Sequence, residues 1–278
     1  MIQVNKNKCS ACGLCVEICH ESCMTLVDDE IHIDYDFCST CTQCIAVCPN
    51  SALSWNNIPP EPYNSTRLPT SELLDEMLKQ RRTIRFFKEK KPPRSLIEEI
   101  IGYSIYAPSH NFSFRAEAVD DKDQLDQIDN AVFLYNKKIY KYLYRPKIIH
   151  KLIKLLASKY EPEYLKAKPK LEKSLKINRA YKHIPPVIIF LISEKNIPLS
   201  VESAQYALYN INLYAQTKGL GSRILVGNQM FLNKNKQVRS LLQLKKNEKI
   251  FGTIGLGYPQ TKFKNKVLGK EIKIQWTS

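Results

Sequence analysis

Eight of the nine cysteines fall into two runs, Cys9, Cys12, Cys15, Cys19 and Cys38, Cys41, Cys44, Cys48. Each is spaced C-x2-C-x2-C-x3-C, and Pro49 closes the second. This spacing restricts the fold more than any other feature. Three cysteines two residues apart let a short looping backbone wrap one iron–sulfur cubane, while a fourth at the start of a helix points elsewhere. Cys9, Cys12, Cys15 and Cys48 are therefore expected to hold one [4Fe–4S] cluster, and Cys38, Cys41, Cys44 and Cys19 a second. Every residue of the first run returns 29 positions later, which reads as an internal duplication. Under the same offset Cys23 falls on Ala52, so Cys23 is expected to be a packed free thiol.

Disulfides and zinc would also use cysteine-rich spacing. An odd cysteine count, the expected lack of a secretory leader, and a chain without cysteine after Cys48 argue against disulfides. Zinc sites pair two C-x2-C units across a gap rather than running three together. The stretch from Met1 to about Ile58 resembles bacterial ferredoxins that carry two [4Fe–4S] clusters. The resemblance lies in Cys9-Ser-Ala-Cys12-Gly-Leu-Cys15-Val-Glu-Ile-Cys19 and Cys38-Ser-Thr-Cys41-Thr-Gln-Cys44-Ile-Ala-Val-Cys48-Pro49. His20 stands where those proteins usually have proline, and is read as a residue of the surface or just behind the ligands rather than as a ligand.

The 278 residues exceed what such a unit needs, and the excess is long enough for a second domain with its own core. The expected division is a ferredoxin-like domain over 1–58, a proline-rich linker over 59–69 and a second domain over 70–278. Four prolines between Ile58 and Pro69 suppress helix and favour a stiff connector. Residues 1–56 carry Lys6 and Lys8 against seven acids, a formal −5, so the remainder of the +15 chain holds +20. Such a balance invites a nucleic-acid partner, but the lysines are interleaved with apolar residues as on a solvated helical surface, so none is expected. No run approaches the roughly 20 apolar residues of a membrane span. No membrane association is expected, and the compartment is expected to be the cytoplasm.

In the second part, Thr70 and Ser71 can cap a helix carrying Leu73, Leu74, Met77 and Leu78 on one face. A helix is expected from Ser95 to Tyr106, a buried strand over Val187–Ile192, and a helix from Val201 to Lys218 closed by Gly219. Arg223–Val226 and Ile250–Gly257 read as further strands, and residues 121–184 as mostly helical. This order implies α+β, with helices flanking a mixed sheet.

Four segments in order give this region its likeness: Arg81-Arg82-Thr83-Ile84-Arg85-Phe86-Phe87, Ala107-Pro108-Ser109-His110-Asn111, Gly219-Leu220-Gly221-Ser222 through Gly227, and Gly257-Tyr258-Pro259. With them residues 66–278 resemble the nitroreductase family of FMN enzymes. The resemblance implies an α+β nitroreductase-like domain following the two-cluster domain. It also implies that Arg81 meets the FMN phosphate, with the Thr83 hydroxyl nearby and Arg82 contributing through its backbone. Arg85 would lie at the N1 and O2 edge of the ring, where a cation favours the reduced form. Lys264 and Lys266 resemble a second phosphate clamp, with lysine keeping the charge but losing the guanidinium fork. Pro108, Ser109 and Asn111 resemble the turn that reaches the flavin from a neighbouring subunit, implying a homodimer. Gly227, preceded by Val226, resembles the residue whose N–H faces flavin N5. After Asn111 the chain departs from the family pattern, reading Phe112-Ser113-Phe114-Arg115.

The combined expectation is an iron–sulfur flavoprotein. Electrons enter singly at the clusters, cross to FMN and leave as pairs to a small organic acceptor, such as a nitro compound, a quinone or an activated double bond. A ferredoxin or NAD(P)H is the expected donor, and no catalytic side chain is assigned. The alternative is a non-catalytic electron-transfer module serving a partner protein.

Overall fold

The computed structural model describes residues 1–109, 113–225, 227, 229–267 and 271–277. The chain divides into two compact units, Met1–Asp75 with Ser109–Phe112, and Glu76–Pro108 with Ser113–Ser278. The division falls inside a helix, α3 (Ser71–Gln80), whose start is capped by Thr70 Oγ1 accepting from Leu73 N–H at 3.3 Å.

In the first unit, β1 (Ile2–Val4) pairs antiparallel with β4 (Leu53–Trp55), and β2 (Met24–Val27) with β3 (Glu30–Ile33). Asp28 and Asp29, at φ 49° and 60°, supply the two positive-φ residues of a tight hairpin turn. The 29-residue repeat is visible in the backbone. Gly13 and Thr42, at φ 77° and 64°, open two short helices, α1 (Leu14–Glu17) and α2 (Gln43–Val47). Ile2, Met24, Ile45 and Leu53 form the core, with Cys15, Cys23 and Cys44 buried among them.

The expectation of a two-cluster ferredoxin domain over 1–58 is corrected. Among the described residues, no group of three or more His, Cys, Asp or Glu side chains could hold a metal ion. The cysteines of this unit are free, and the buried ones pack as small apolar groups.

In the second unit a four-stranded sheet runs in the order β5 (Arg115–Val119), β6 (Val187–Glu194), β8 (Glu248–Gly257), β7 (Gly221–Ile224). All its pairings are antiparallel. Parallel pairing, which the mixed-sheet expectation called for, enters through the isolated bridge Thr83–Ser222. The apolar run of β6 is buried on both faces, as a central strand covered by helices requires. Ile188, Phe190 and Ile192 meet Ile128 and Val132 of α5 (Lys122–Ile139) and Val238 of α10 (Lys236–Leu241). Val187, Ile189 and Leu191 meet Ile97 and Ile100 of α4 (Arg94–Gly102) and Leu208, Ile211 and Ala215 of α8 (Ser200–Thr217). Gly219, at φ 73°, ends α8 as its sequence position implies.

The face of β8 next to β7 is smooth because it must be. A Cβ on Gly255 would lie 2.3 Å from Pro185 Cγ, and one on Gly257 2.5 Å from Pro186 Cγ. At the far edge, Arg115 binds Glu248 through Nε to Oε1 at 2.9 Å and Nη2 to Oε2 at 2.8 Å. This fork holds the Glu248 carboxyl down to about 2, from an ordinary value of 4.5. Because the folded value is depressed, the ion pair's stabilisation is complete above pH 4.5 and is lost as pH falls through about 2. Glu248→Gln should lower stability by about 1–3 kcal/mol at neutral pH and flatten the acid limb of a urea-melt series between those two pH values.

Candidate active site

The end of α3 delivers the arginine-rich segment to the sheet. Arg82 Nη1 donates to the carbonyls of Lys79 and Arg81, both at 2.7 Å, satisfying carbonyls that the helix terminus leaves open. The chain then joins β7: Ile84 N–H donates to Ser222 O at 2.9 Å. The Ile84 side chain fills the space over Gly221, where a Cβ would come within 2.3 Å of Ile84 Cγ1. Lys88 N–H to Tyr258 O and Gln260 N–H to Phe86 O, at 2.9 and 3.0 Å, tie the rest of the segment to the end of β8.

Beside this junction lies a cavity of about 390 Å³ whose wall, among the described residues, carries five cations, Arg81, Arg82, Lys262, Lys264 and Lys266, and one carboxylate, Glu76. Glu76 pairs with Lys266 and accepts from Gln80 Nε2 at 2.9 Å, and these contacts hold its carboxyl below the usual range. Two amides of α8 also line the cavity. Asn212 accepts from the Ser222 hydroxyl through Oδ1, while its Nδ2 is buried without a hydrogen-bond partner. Gln216 donates from Nε2 to Met77 O at 2.9 Å, while its Oε1 is likewise unpartnered.

The sequence expectations divide accordingly. Arg81, Arg82, Lys264 and Lys266, far apart in the chain, share one cavity wall. Thr83 and Arg85 do not line it. Thr83 bridges to Ser222, and Arg85 is exposed. Pro108 is exposed, and Ser109 carries a buried hydroxyl without a partner. Gly227 is exposed, and a Cβ there would meet nothing within 4 Å, so the protein's own packing does not demand glycine. Asn111 and Val226 lie outside the described residues. Lys262, Asn212 and Gln216 were not singled out from the sequence, and Ser222 entered only as part of the Gly219-Leu220-Gly221-Ser222 segment.

In the first unit, Cys9, Cys12, Cys15 and Cys48 line one small cavity, and Cys19, Cys38, Cys41 and Cys44 another. Cys19 Sγ lies 3.4 Å from Cys23 Sγ. Burial raises the Cys15 thiol and lifts Cys44 to about 11. Burial together with Cys19 lifts Cys23 to about 12. Because no metal-holding group is found among the described residues, the assignment of these eight cysteines as ligands of two [4Fe–4S] clusters is corrected, and with it the cluster-to-flavin electron relay.

The profile of the nitroreductase family matches residues 78–258, and that of the 4Fe-4S binding domain matches residues 31–54, which contain the second cysteine run. The chain belongs to the nitroreductase family, and it is an FMN-dependent oxidoreductase of that type. It is 27% identical over 243 residues to iodotyrosine deiodinase of Danio rerio, covering 84% of this chain and 78% of that one. An iodotyrosine deiodinase crystallised with FMN and 3-iodo-L-tyrosine is 23% identical with a TM-score of 0.51, covering 74% of this chain and 99% of its own. A nitroreductase with bound FMN from Bacteroides fragilis NCTC 9343 is 19% identical with a TM-score of 0.51 and the same coverage. With these two structures the likeness is one of fold. None of the described helices is long and apolar enough to cross a membrane.

Among the described residues Glu76 is the one acid in the cavity wall, so Glu76→Gln removes a negative charge beside Lys266. This variant should bind inorganic phosphate several-fold more tightly than the wild type at low ionic strength, as measured by calorimetry.

Proposed function

We propose that the five-cation cavity is the phosphate end of an FMN site and that the protein reduces a small organic acceptor at that flavin. The observation that carries this reading is the company of Arg81, Arg82, Lys262, Lys264 and Lys266 in one wall against a single carboxylate. A phosphate monoester supplies the opposite charge and the acceptor oxygens such a wall lacks. The two unpartnered amide atoms fit the same group, since a hydroxylated ribityl chain offers both donors and acceptors.

On this reading Arg81, Lys264 and Lys266 neutralise the phosphate, and Arg82 supports them while closing α3. Thr83 offers its hydroxyl nearby, and Arg85 stands at the ring edge. Gly227, with Val226 before it, allows the backbone to approach N5. Pro108, Ser109 and Asn111 approach the flavin from a second copy in a homodimer. Bound FMN supplies reversible two-electron transfer at its ring, and the protein's part is to hold, orient and electrostatically bias it. NAD(P)H or a ferredoxin is the proposed donor. The acceptor classes are nitro compounds, quinones and activated double bonds, and the likeness to an iodotyrosine deiodinase solved with 3-iodo-L-tyrosine adds that compound to those to be tried.

The test is direct. Full-length protein reconstituted with FMN and reduced anaerobically by dithionite, NADH or NADPH should reoxidise on addition of at least one of these acceptors. Arg81→Ala should weaken FMN binding by about ten- to a hundredfold in a fluorescence titration, as loss of a charge-assisted phosphate contact implies. Unchanged FMN affinity would place the phosphate elsewhere.

A further inference from the structure

Residues 137–176 carry thirteen lysines and arginines against three glutamates. Within them lies α6 (Lys147–Leu156), which follows the π-helical turn Tyr140–Tyr144 and precedes α7 (Glu161–Lys176). One side of α6 rests on the protein. Ile149 and Ile153 are half-buried there, and His150 Nε2 lies 2.9 Å from Glu161 Oε1 at the start of α7. Yet no residue of this helix is buried.

The other side is apolar and open. Ile148, Leu152, Leu155 and Leu156 are 64%, 43%, 79% and 77% exposed. At about 100° per residue these four fall within an arc of about 100°. Lys147, Lys151 and Lys154, all exposed, fill the arc beside it. Among the described residues none of the three pairs with a carboxylate. Tyr142 and Leu143 just before the helix and Tyr160 just after it are exposed as well. A helix facing only water would carry polar groups on its outer side, and wetting four large aliphatic side chains together is unfavourable.

Two features of this face select its occupant. It is the convex side of a helix rather than a groove, so whatever covers it must yield around it. Its charge is of one sign, borne by lysines at the border of an apolar strip. The surface of an anionic bilayer meets both conditions, with phosphates at the level of the lysines and acyl chains beneath. A protein partner would need an apolar trough rimmed by carboxylates in matching register. We propose that α6 docks the protein on an anionic lipid surface, with Ile148, Leu152, Leu155 and Leu156 inserted and Lys147, Lys151 and Lys154 against lipid phosphates. Ten residues span about 15 Å, half of a hydrocarbon core of about 30 Å, so the helix lies on the membrane and does not cross it. The lack of a long apolar run in the sequence excludes crossing only. This docking is independent of the flavin site and is read without turnover.

Full-length protein is sedimented with phosphatidylcholine vesicles containing about 30% phosphatidylglycerol, and with phosphatidylcholine alone. The wild type should bind the anionic vesicles about tenfold more tightly or better, and less tightly as salt is raised. Leu152→Gln with Leu155→Gln should lower that affinity about tenfold or more, and Lys151→Gln with Lys154→Gln about twentyfold. All four side chains are exposed, so melts followed by circular dichroism should match the wild type. Lys234→Gln with Lys236→Gln, an exposed pair outside α6, controls for general positive charge and should change binding far less. Absence of binding to the anionic vesicles overturns the proposal, as does an equal loss from the Lys234 and Lys236 pair or full affinity in the leucine pair. So does a dimer, seen by sedimentation velocity without lipid, that the leucine pair dissociates, because the strip is then covered by a second copy of the chain.

Discussion

One backbone hydrogen bond, Ile84 N–H to Ser222 O at 2.9 Å, fixes where the arginine-rich segment of the second unit runs. It attaches the segment after α3 to the edge of the sheet at a single parallel bridge, and Ile84 locks that register by filling the space over Gly221. Arg81 and Arg82 are then held on the cavity side of the junction, while Arg85 passes beyond it. A slip of one residue would exchange the faces of the whole segment, because successive side chains of an extended strand point to opposite sides. The glycine at 221 is thus a register device, and the arginines depend on it.

The cavity wall gathers cations that lie far apart in the chain. A domain carrying +20 has cations everywhere, and most are solvated and screened. What distinguishes Arg81, Lys262, Lys264 and Lys266 is convergence around a concave space whose single acid among the described residues, Glu76, already answers Lys266. Nearby, the helix α8 offers amides whose other ends are tied to Ser222 and Met77, so their orientation is set by the protein itself.

Much of this was readable in advance where a local rule operates. The buried strand β6, the helix α8 with its terminal glycine, and the cap at Thr70 follow from periodicity and turn chemistry that act within a few residues. The joining of Arg81 with Lys264 and Lys266 was legible only through likeness to a family, since no local signal spans that separation. β5 was missed: its first residue, Arg115, looked like a loop departure, and its partner Glu248 lies 133 positions away. The mixed sheet resolved into antiparallel strands with one parallel bridge because strand direction is set by connections, which composition does not encode. The cysteine runs mark the limit in the other direction. Their spacing is a strictly local pattern, shared with the profile over 31–54, whereas the requirement for a metal-holding group concerns side chains in three dimensions.

The stacking of Pro185 on Gly255 and of Pro186 on Gly257 carries an evolutionary corollary. Where a ring occupies the volume that a methyl group would need, the two positions cannot drift independently, since an alanine at either glycine becomes tolerable only once the opposing proline has given way. Relatives that keep both prolines should keep both glycines, and those that lose one should show its counterpart enlarged. Covariation at these two pairs would mark how this part of the sheet is inherited, independently of whatever the enzyme's chemistry selects.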